Sequence, residues 1–128
     1  MDFNHDNILV GNFIPVLCVM HRKSCLDEAG LFDETLTTHE DWDLWIRLSR
    51  KYRFGHIRKT TCEFSWRTDG TSMTSSKQKD FLRTLEIIYA KTADHVRGKP
   101  HVLEARQRYL QERKQVEQRQ DALAVRAK

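Results

Sequence analysis

The amino-acid sequence predicts an α/β fold, with a few strands and several helices in one domain. Residues 12–20 are almost continuously apolar or β-branched, as expected of a buried strand. Residues 54–66 alternate in places between apolar and polar side chains and predict one or two further strands. Residues 40–50 instead place their apolar side chains at helical spacing. A chain of 128 residues is long enough for one domain and short for two.

The first predicted strand is followed by a short helix. Pro15 removes one backbone donor from that strand, which indicates a sheet edge, a bulge or the strand start. Ser24 is the expected N-cap of the short helix, with Asp27 as the carboxylate three residues on. Gly30 then ends the helix at a left-handed C′ position. A loop leads from there to the second helix.

The second helix is expected to be substantially buried, because its apolar positions cover more than one face. From about Lys77 the spacing of the apolar residues predicts an amphipathic helix, which Gly98 and Pro100 break. The residues after this break predict a solvated or frayed helix with a thin apolar stripe, and not a firm coiled coil. The chain therefore divides into residues 1–76 and a helical extension over residues 77–128.

Basic charge is concentrated in the extension. The whole chain carries a net charge of +4, but residues 97–128 hold nine Lys or Arg against four Asp or Glu. The body therefore does not present a uniformly basic face for specific nucleic-acid binding. No apolar run is long enough to span a membrane and no signal peptide is recognised, so a cytoplasmic protein is expected, with peripheral membrane contact as the alternative.

The densest polar segment is residues 39–43, where three carboxylates are interleaved with Trp42 and followed by Trp45. One interpretation is structural, with Thr37 or Thr38 as N-cap and the acids in the first turn stabilised by the helix dipole. The other is functional, because an ionised carboxylate beside an aromatic ring suits a general base acting on a hydroxyl. Asp41 and Asp43 point about 200° apart on a helix, which argues against a shared metal.

Two further constellations have both a functional and a structural interpretation. Cys18, His21 and Cys25, with Cys62 or His39 as a fourth ligand, are spaced as a weak zinc pattern, or the cysteines simply pack as reduced thiols in the core. The loop after the second strand region carries an arginine, an aspartate and several hydroxyls. Those groups can contact phosphate or metal, or form an ordinary Asp-Gly turn with a capping cluster.

Two motifs and their order add a family resemblance. The segment from Gly30 to Leu36 has the pattern G-x-F-D-E-x-L, and the segment from Glu40 to Arg47 has the pattern E-D-x-D-L-x-x-R. A strand pair ending at Trp66 follows. Over residues 8–75 the chain resembles the C-terminal, acceptor-side half of family 2 glycosyltransferases of the GT-A fold. The resemblance implies a partial GT-A domain with a C-terminal helical extension.

The resemblance also implies an activity, the inverting transfer of a sugar from a nucleotide-sugar to an acceptor hydroxyl. Asp41 would be the catalytic base, and Glu40 would position the acceptor or tune that base. Trp42 and Trp45 would line the acceptor pocket. Arg47 would be a structural ion-pairing residue.

Arg67 corresponds to the family's strand-end arginine and is expected to contact the acceptor. Two departures from the family pattern limit what this chain would do alone. Asp69 stands where the family often has a metal-binding histidine, and a carboxylate also suits Mg or Mn. The resemblance implies that a complete enzyme would use Mg or Mn. The family's nucleotide-binding half has no counterpart here, so we expect this chain to bind no cofactor and to be inactive in isolation. The donor and a sugar or lipid-linked acceptor would be partners of the complete enzyme.

The alternative hypothesis is a non-catalytic interaction module that uses the basic helical extension. Its weak apolar stripe argues against membrane insertion, and its lack of interleaved aromatic residues argues against nucleic acid. Self-association is a further expectation, because large apolar side chains would be left uncovered without a partner half. The candidates are Phe13, Phe32, Trp45 and Phe81.

Overall fold

A computed structural model describes residues 2–65 and 80–126 of the chain. Within these ranges the protein is helical and contains no strand, so the predicted α/β fold with GT-A strands is wrong. Two 3₁₀ turns accompany the α-helices, at Val16–Cys18 and Ala93–Val96. The α-helices are α1 (His5–Val10), α2 (Cys25–Ala29), α3 (Glu40–Ser49), α4 (Asp80–Lys91) and α5 (Pro100–Arg126).

The two predicted strand regions have a physical reason for not being strands. Pro15, with φ −59°, leads into the 3₁₀ turn, and only at Val19 does the backbone return to extended angles. Residues 53–58 and 60–65 are likewise without helix or strand. A strand takes its backbone hydrogen bonds from a neighbouring strand, and no segment in the described ranges supplies such a ladder.

Local signals set the helix ends. Asn4 caps α1, since its Oδ1 accepts hydrogen bonds from the backbone N–H groups of Asp6 (2.8 Å) and Asn7 (3.0 Å). Gly30 ends α2 as predicted, at a positive φ of +79° that favours glycine, but its ψ of 170° differs from the predicted left-handed helical conformation. Ser24 does precede α2, but it has helical angles and makes no side-chain capping bond.

Helix α3 lies at the centre of the core. Trp42 and Trp45 are 1% and 2% exposed, and they share a cluster with Ile8 of α1, Ile88 of α4 and Val102 of α5. The predicted burial of α3 is therefore confirmed. The proposed boundary between residues 76 and 77 lies outside the described residues, but α4 and the first part of α5 contribute to the same core as α3.

A buried cation joins the first and last helices. Arg106 of α5 is 5% exposed, and its Nε donates a hydrogen bond of 2.7 Å to the backbone oxygen of Leu9. Its remaining nitrogens donate to the backbone oxygen of Tyr89 (3.3 Å) and to Oγ1 of Thr92 (2.6 Å). Because two of these acceptors are carbonyls in the last turns of α1 and α4, the guanidinium also faces the negative ends of two helix dipoles.

The surface of the described residues is partly apolar. Met20, Leu31 and Phe64 are 89%, 72% and 64% exposed, and Phe32 is also exposed, whereas Trp45 is buried. None of the described helices combines the length and the apolar character that crossing a membrane requires.

Candidate functional site

His39 lies at the start of α3, immediately before the carboxylates of the first turn. It is the N-cap of the helix, at left-handed angles of φ 61° and ψ 18°. Its Nδ1 hydrogen-bonds with Oγ1 of Thr84 in α4 at 2.8 Å, and its ring contacts the rings of Trp42 and Phe81. The expected N-cap at Thr37 or Thr38 is therefore wrong.

The hydroxyl of Thr38, which was expected to cap α3, instead contacts a threonine of α4. Thr38 is buried, and its Oγ1 lies 2.5 Å from Oγ1 of Thr84, which also hydrogen-bonds with His39. Burial of the imidazole lowers the pKa of His39 to about 4, so the ring is neutral at neutral pH. A neutral ring and two threonine hydroxyls therefore connect the start of α3 to α4.

Asp41 is a half-buried carboxylate in the first turn of α3. Its Oδ2 accepts a hydrogen bond from Nδ2 of Asn12 at 3.1 Å, and its Oδ1 accepts one from the backbone N–H of Trp42 at 2.7 Å. Burial raises the pKa of Asp41 against the opposing effect of these hydrogen bonds, and the neighbouring charge of Glu40 raises it further. The carboxylate is thus held in one orientation and made more basic than a solvated aspartate.

The aromatic residues predicted for the acceptor pocket lie in the core. The indole Nε1 of Trp42 donates a hydrogen bond of 2.6 Å to the backbone oxygen of Ile8, and its ring packs edge-on against Tyr89. Trp45 contacts the ring of His21, and its buried Nε1 has no acceptor among the described residues. Neither ring forms an open platform on the described surface, and their contact with an acceptor stays a prediction.

Asp43 points to a different set of partners. Its Oδ2 accepts a hydrogen bond from Nε of Arg47 at 2.9 Å, and its Oδ1 lies 2.6 Å from Nζ of Lys91. Lys91 also pairs with Asp33 at 2.7 Å, and Arg47 donates to the backbone oxygens of Ala29 and Leu31. The structural ion-pairing role expected of Arg47 is confirmed.

This arrangement separates the two aspartates of α3. Asp41 contacts Asn12, whereas Asp43 neutralises two cations. Asp33, from the G-x-F-D-E-x-L segment, belongs to the Asp43 network through Lys91. The two motifs that carry the family resemblance are therefore joined by structural ion pairs, and Asp41 is left as the acid with a raised pKa.

The predicted metal sites receive no support from the described part of the chain. Within residues 2–65 and 80–126, no three His, Cys, Asp or Glu side chains are close enough together to hold a metal ion. Sγ of Cys18 lies 3.1 Å from Sγ of Cys62, but Cys25 is separately packed at the start of α2. Arg67 and Asp69 lie outside the described residues, so acceptor binding and the Mg or Mn site stay predictions there.

An open cleft lies near the other end of α3, away from Asp41. It has a volume of about 370 Å³ and is lined by Glu28, Ala29, Arg47, Arg50 and Lys51. Arg47 is already engaged with Asp43 and two backbone oxygens, and Nζ of Lys51 donates to the backbone oxygen of Glu28 at 3.1 Å. The cleft therefore offers few uncommitted donors.

Sequence reasoning missed the partners of the acids. Asn12 was assigned to a strand, and Thr84 and Lys91 were assigned to an extension, because no local pattern connects them to residues 39–43. The asparagine at the start of the predicted strand was the available signal, since a polar amide needs a partner when it is partly buried.

Comparisons with protein families, curated proteins and solved structures find no match to this chain.

Proposed function

We propose that this chain supplies the acceptor side and the general base of an inverting sugar transfer, as its resemblance to family 2 glycosyltransferases implies. The observation that carries the proposal is the environment of Asp41. This carboxylate is oriented by Asn12 and by the backbone of Trp42, and burial raises its pKa.

These features suit the proton transfer that the reaction needs. The acceptor hydroxyl gives its proton to the carboxylate of Asp41 while the hydroxyl oxygen attacks the anomeric carbon. The nucleotide diphosphate leaves with the electrons of the broken glycosidic bond, and the anomeric configuration inverts. A raised pKa makes Asp41 a better proton acceptor, because a base is most effective when its pKa lies near the operating pH.

The carboxylate keeps the capacity to accept another proton donor. An ionised aspartate offers about four lone-pair sites, and Asn12 and the N–H of Trp42 use two of them. Glu40 is half-buried beside it and is assigned to acceptor positioning. Its negative charge also contributes to the raised pKa of Asp41.

The test is sugar transfer from labelled nucleotide-sugars to a panel of hydroxyl acceptors, measured on the protein that carries this chain in its natural context. Asp41→Asn is expected to lower the transfer rate by about 10²–10⁴-fold, the usual contribution of a general base. Donor affinity should stay nearly unchanged. Asp27→Asn is the matched control, because Asp27 is an exposed carboxylate in the first turn of another helix.

Two results would contradict the proposal. Full activity of Asp41→Asn would remove the base assignment. No transfer by the unmodified protein from any donor would reject the transferase function itself.

The second candidate function is an interaction module, and the end of α5 favours it. Residues 111–116 are all exposed although they continue the same helix, and they include Arg113 and Lys114. Arg113 lies over the ring of Tyr109, and Nζ of Lys114 lies 3.0 Å from a carboxylate oxygen of Glu86, so a partner would compete with these two contacts or bind the other exposed positions. Binding to DNA or to anionic vesicles that falls steeply with salt supports this function, and no binding at low salt eliminates both partners.

A further inference from the structure

Two cysteine thiols from distant parts of the sequence lie side by side. Sγ of Cys18 is 3.1 Å from Sγ of Cys62, although the residues are 44 positions apart. A disulfide bond is 2.03–2.05 Å long, so the sulfurs need to approach by only about 1 Å to become bonded. Both residues are free thiols in this structure.

The backbone on the Cys18 side is held in place before any reaction. Cys18 ends the 3₁₀ turn, and its backbone N–H donates a hydrogen bond of 2.9 Å to the backbone oxygen of Pro15. The proline ring fixes φ at −59° where this turn begins. The thiol of Cys18 is therefore presented from a constrained turn, while Cys62 lies in the neighbouring irregular segment.

Small reagents can reach the pair, and the third cysteine does not compete for it. Cys18 is exposed and Cys62 is partly exposed. Cys25 begins α2 and packs against the hydrophobic core. The fold thus selects one of the three pairings that three cysteines allow.

We propose that Cys18 and Cys62 form a reversible redox site, which low-molecular-weight disulfides of the glutathione class oxidise to an intramolecular disulfide. This inference is independent of the proposed transferase function. It needs the two thiols to be close and accessible, and both conditions hold.

The reaction takes place in two exchange steps. The Cys18 thiolate attacks one sulfur of the small disulfide, forms a mixed disulfide and releases one small thiolate. The Cys62 thiolate then attacks the Cys18 sulfur and releases the second small thiolate. The protein loses two hydrogens and two electrons, and the small disulfide is reduced to two thiols.

The proximity of the two thiols also affects the rate. The contact with Cys62 raises the pKa of the Cys18 thiol, so less of the reactive thiolate is present at neutral pH and a higher pH is needed to populate it. The rate of oxidation should therefore increase through the alkaline range.

The disulfide would enclose the candidate site in a covalent loop. Helices α2 and α3, with Asp41, lie between Cys18 and Cys62 in the chain. Closing this loop restricts the unfolded chain, which stabilises the segment that carries the proposed base.

The experiment equilibrates the full chain in glutathione buffers of varied ratio, quenches with acid, alkylates the remaining thiols under denaturing conditions and measures intact mass and peptide maps. In the oxidised chain we expect one alkylated cysteine, Cys25, and a Cys18–Cys62 linked peptide. Cys25→Ser is the matched control and should form the same link. Cys18→Ser and Cys62→Ser should form none.

The same titration in concentrated urea separates a property of the fold from ordinary thiol chemistry. The equilibrium constant for forming the Cys18–Cys62 disulfide should be at least about tenfold larger in the native chain than in the unfolded chain, equivalent to about 30 mV for a two-electron couple. Equal constants, a link that includes Cys25, or glutathione retained on Cys18 instead of the intramolecular link would each overturn the proposal. Circular dichroism of each serine variant shows that its fold is intact.

Discussion

Replacing Asp43 by asparagine removes one negative charge from the core and nearly preserves the side-chain volume. Asp43 is 2% exposed, and it neutralises Arg47 at 2.9 Å and Lys91 at 2.6 Å. The asparagine oxygen can still accept one hydrogen bond. Neither of the two cations then has the carboxylate that balanced it at this position.

The expected cost follows from burial and from the remaining partners. Breaking a buried ion pair typically costs 3–5 kcal/mol. Here the side chains of Arg47 and Lys91 are 27% and 36% exposed, Lys91 keeps Asp33, and Arg47 keeps its backbone acceptors. We therefore expect a loss of about 2–3 kcal/mol in the free energy of unfolding, below the typical cost because of this partial solvation. The melting temperature should fall by roughly 10 °C.

Urea unfolding followed by tryptophan fluorescence and circular dichroism measures this loss under reducing conditions. Asp27→Asn, which changes an exposed carboxylate, should alter stability by no more than about 0.5 kcal/mol. A double-mutant cycle of Asp43→Asn with Lys91→Met should give a coupling energy on the order of 1–2 kcal/mol. A loss below about 0.5 kcal/mol for Asp43→Asn, or strict additivity in the cycle, would refute a stabilising role for this network.

Three further perturbations test other parts of the structure. Because burial lowers the pKa of His39 to about 4, the unfolded chain binds the proton first, and stability should fall as the pH drops from about 6.5 towards 4. Asparagine tolerates left-handed backbone angles, so His39→Asn should fold and should reduce the pH-dependent loss of stability by on the order of 2 kcal/mol in urea titrations. An unchanged dependence of stability on pH would show that other groups cause the loss. Gly30→Ala places a Cβ at φ +79°, 3.3 Å from a guanidinium nitrogen of Arg47, and should lower the free energy of unfolding by about 1–2 kcal/mol. Gly55→Ala is the control, because nothing lies within 4 Å of the added Cβ there. Trp42→Phe removes the bond to the Ile8 backbone oxygen and should cost about 1–3 kcal/mol in thermal unfolding; wild-type stability would show that this bond contributes nothing.

The local parts of the fold were predictable from the sequence. The end of α2 at Gly30 and the start of a new helix at Pro100 depend on residues within one or two turns, and both are present. The helix before this break is shorter than predicted, because α4 ends at Lys91 and a 3₁₀ turn over Ala93–Val96 follows. The region 12–20 was not predictable in the same way. Its apolar and β-branched residues favour a strand, but a strand forms only where a partner supplies the ladder, and Pro15 begins a 3₁₀ turn instead.

The sequence indicated which acidic residues form the candidate site, but it did not indicate which side chains contact them. The family resemblance implied Asp41 as the base candidate and Arg47 as an ion-pairing residue. It did not reveal Asn12 or Lys91, which are 29 and 48 positions from the aspartates they contact. Such contacts depend on how helices and loops dock, so a local pattern does not encode them.

The Arg106 contact has a consequence for how the chain folds during synthesis. The guanidinium that binds the Leu9 backbone oxygen is 97 positions further along the chain. At ribosomal rates of about 5–20 residues per second, α1 waits roughly 5–20 s before this partner has been made. During that interval Ile8 and Leu9, both fully buried in the finished fold, lack much of their cover. The cover of α1 is therefore completed only after the first part of α5 has been synthesised.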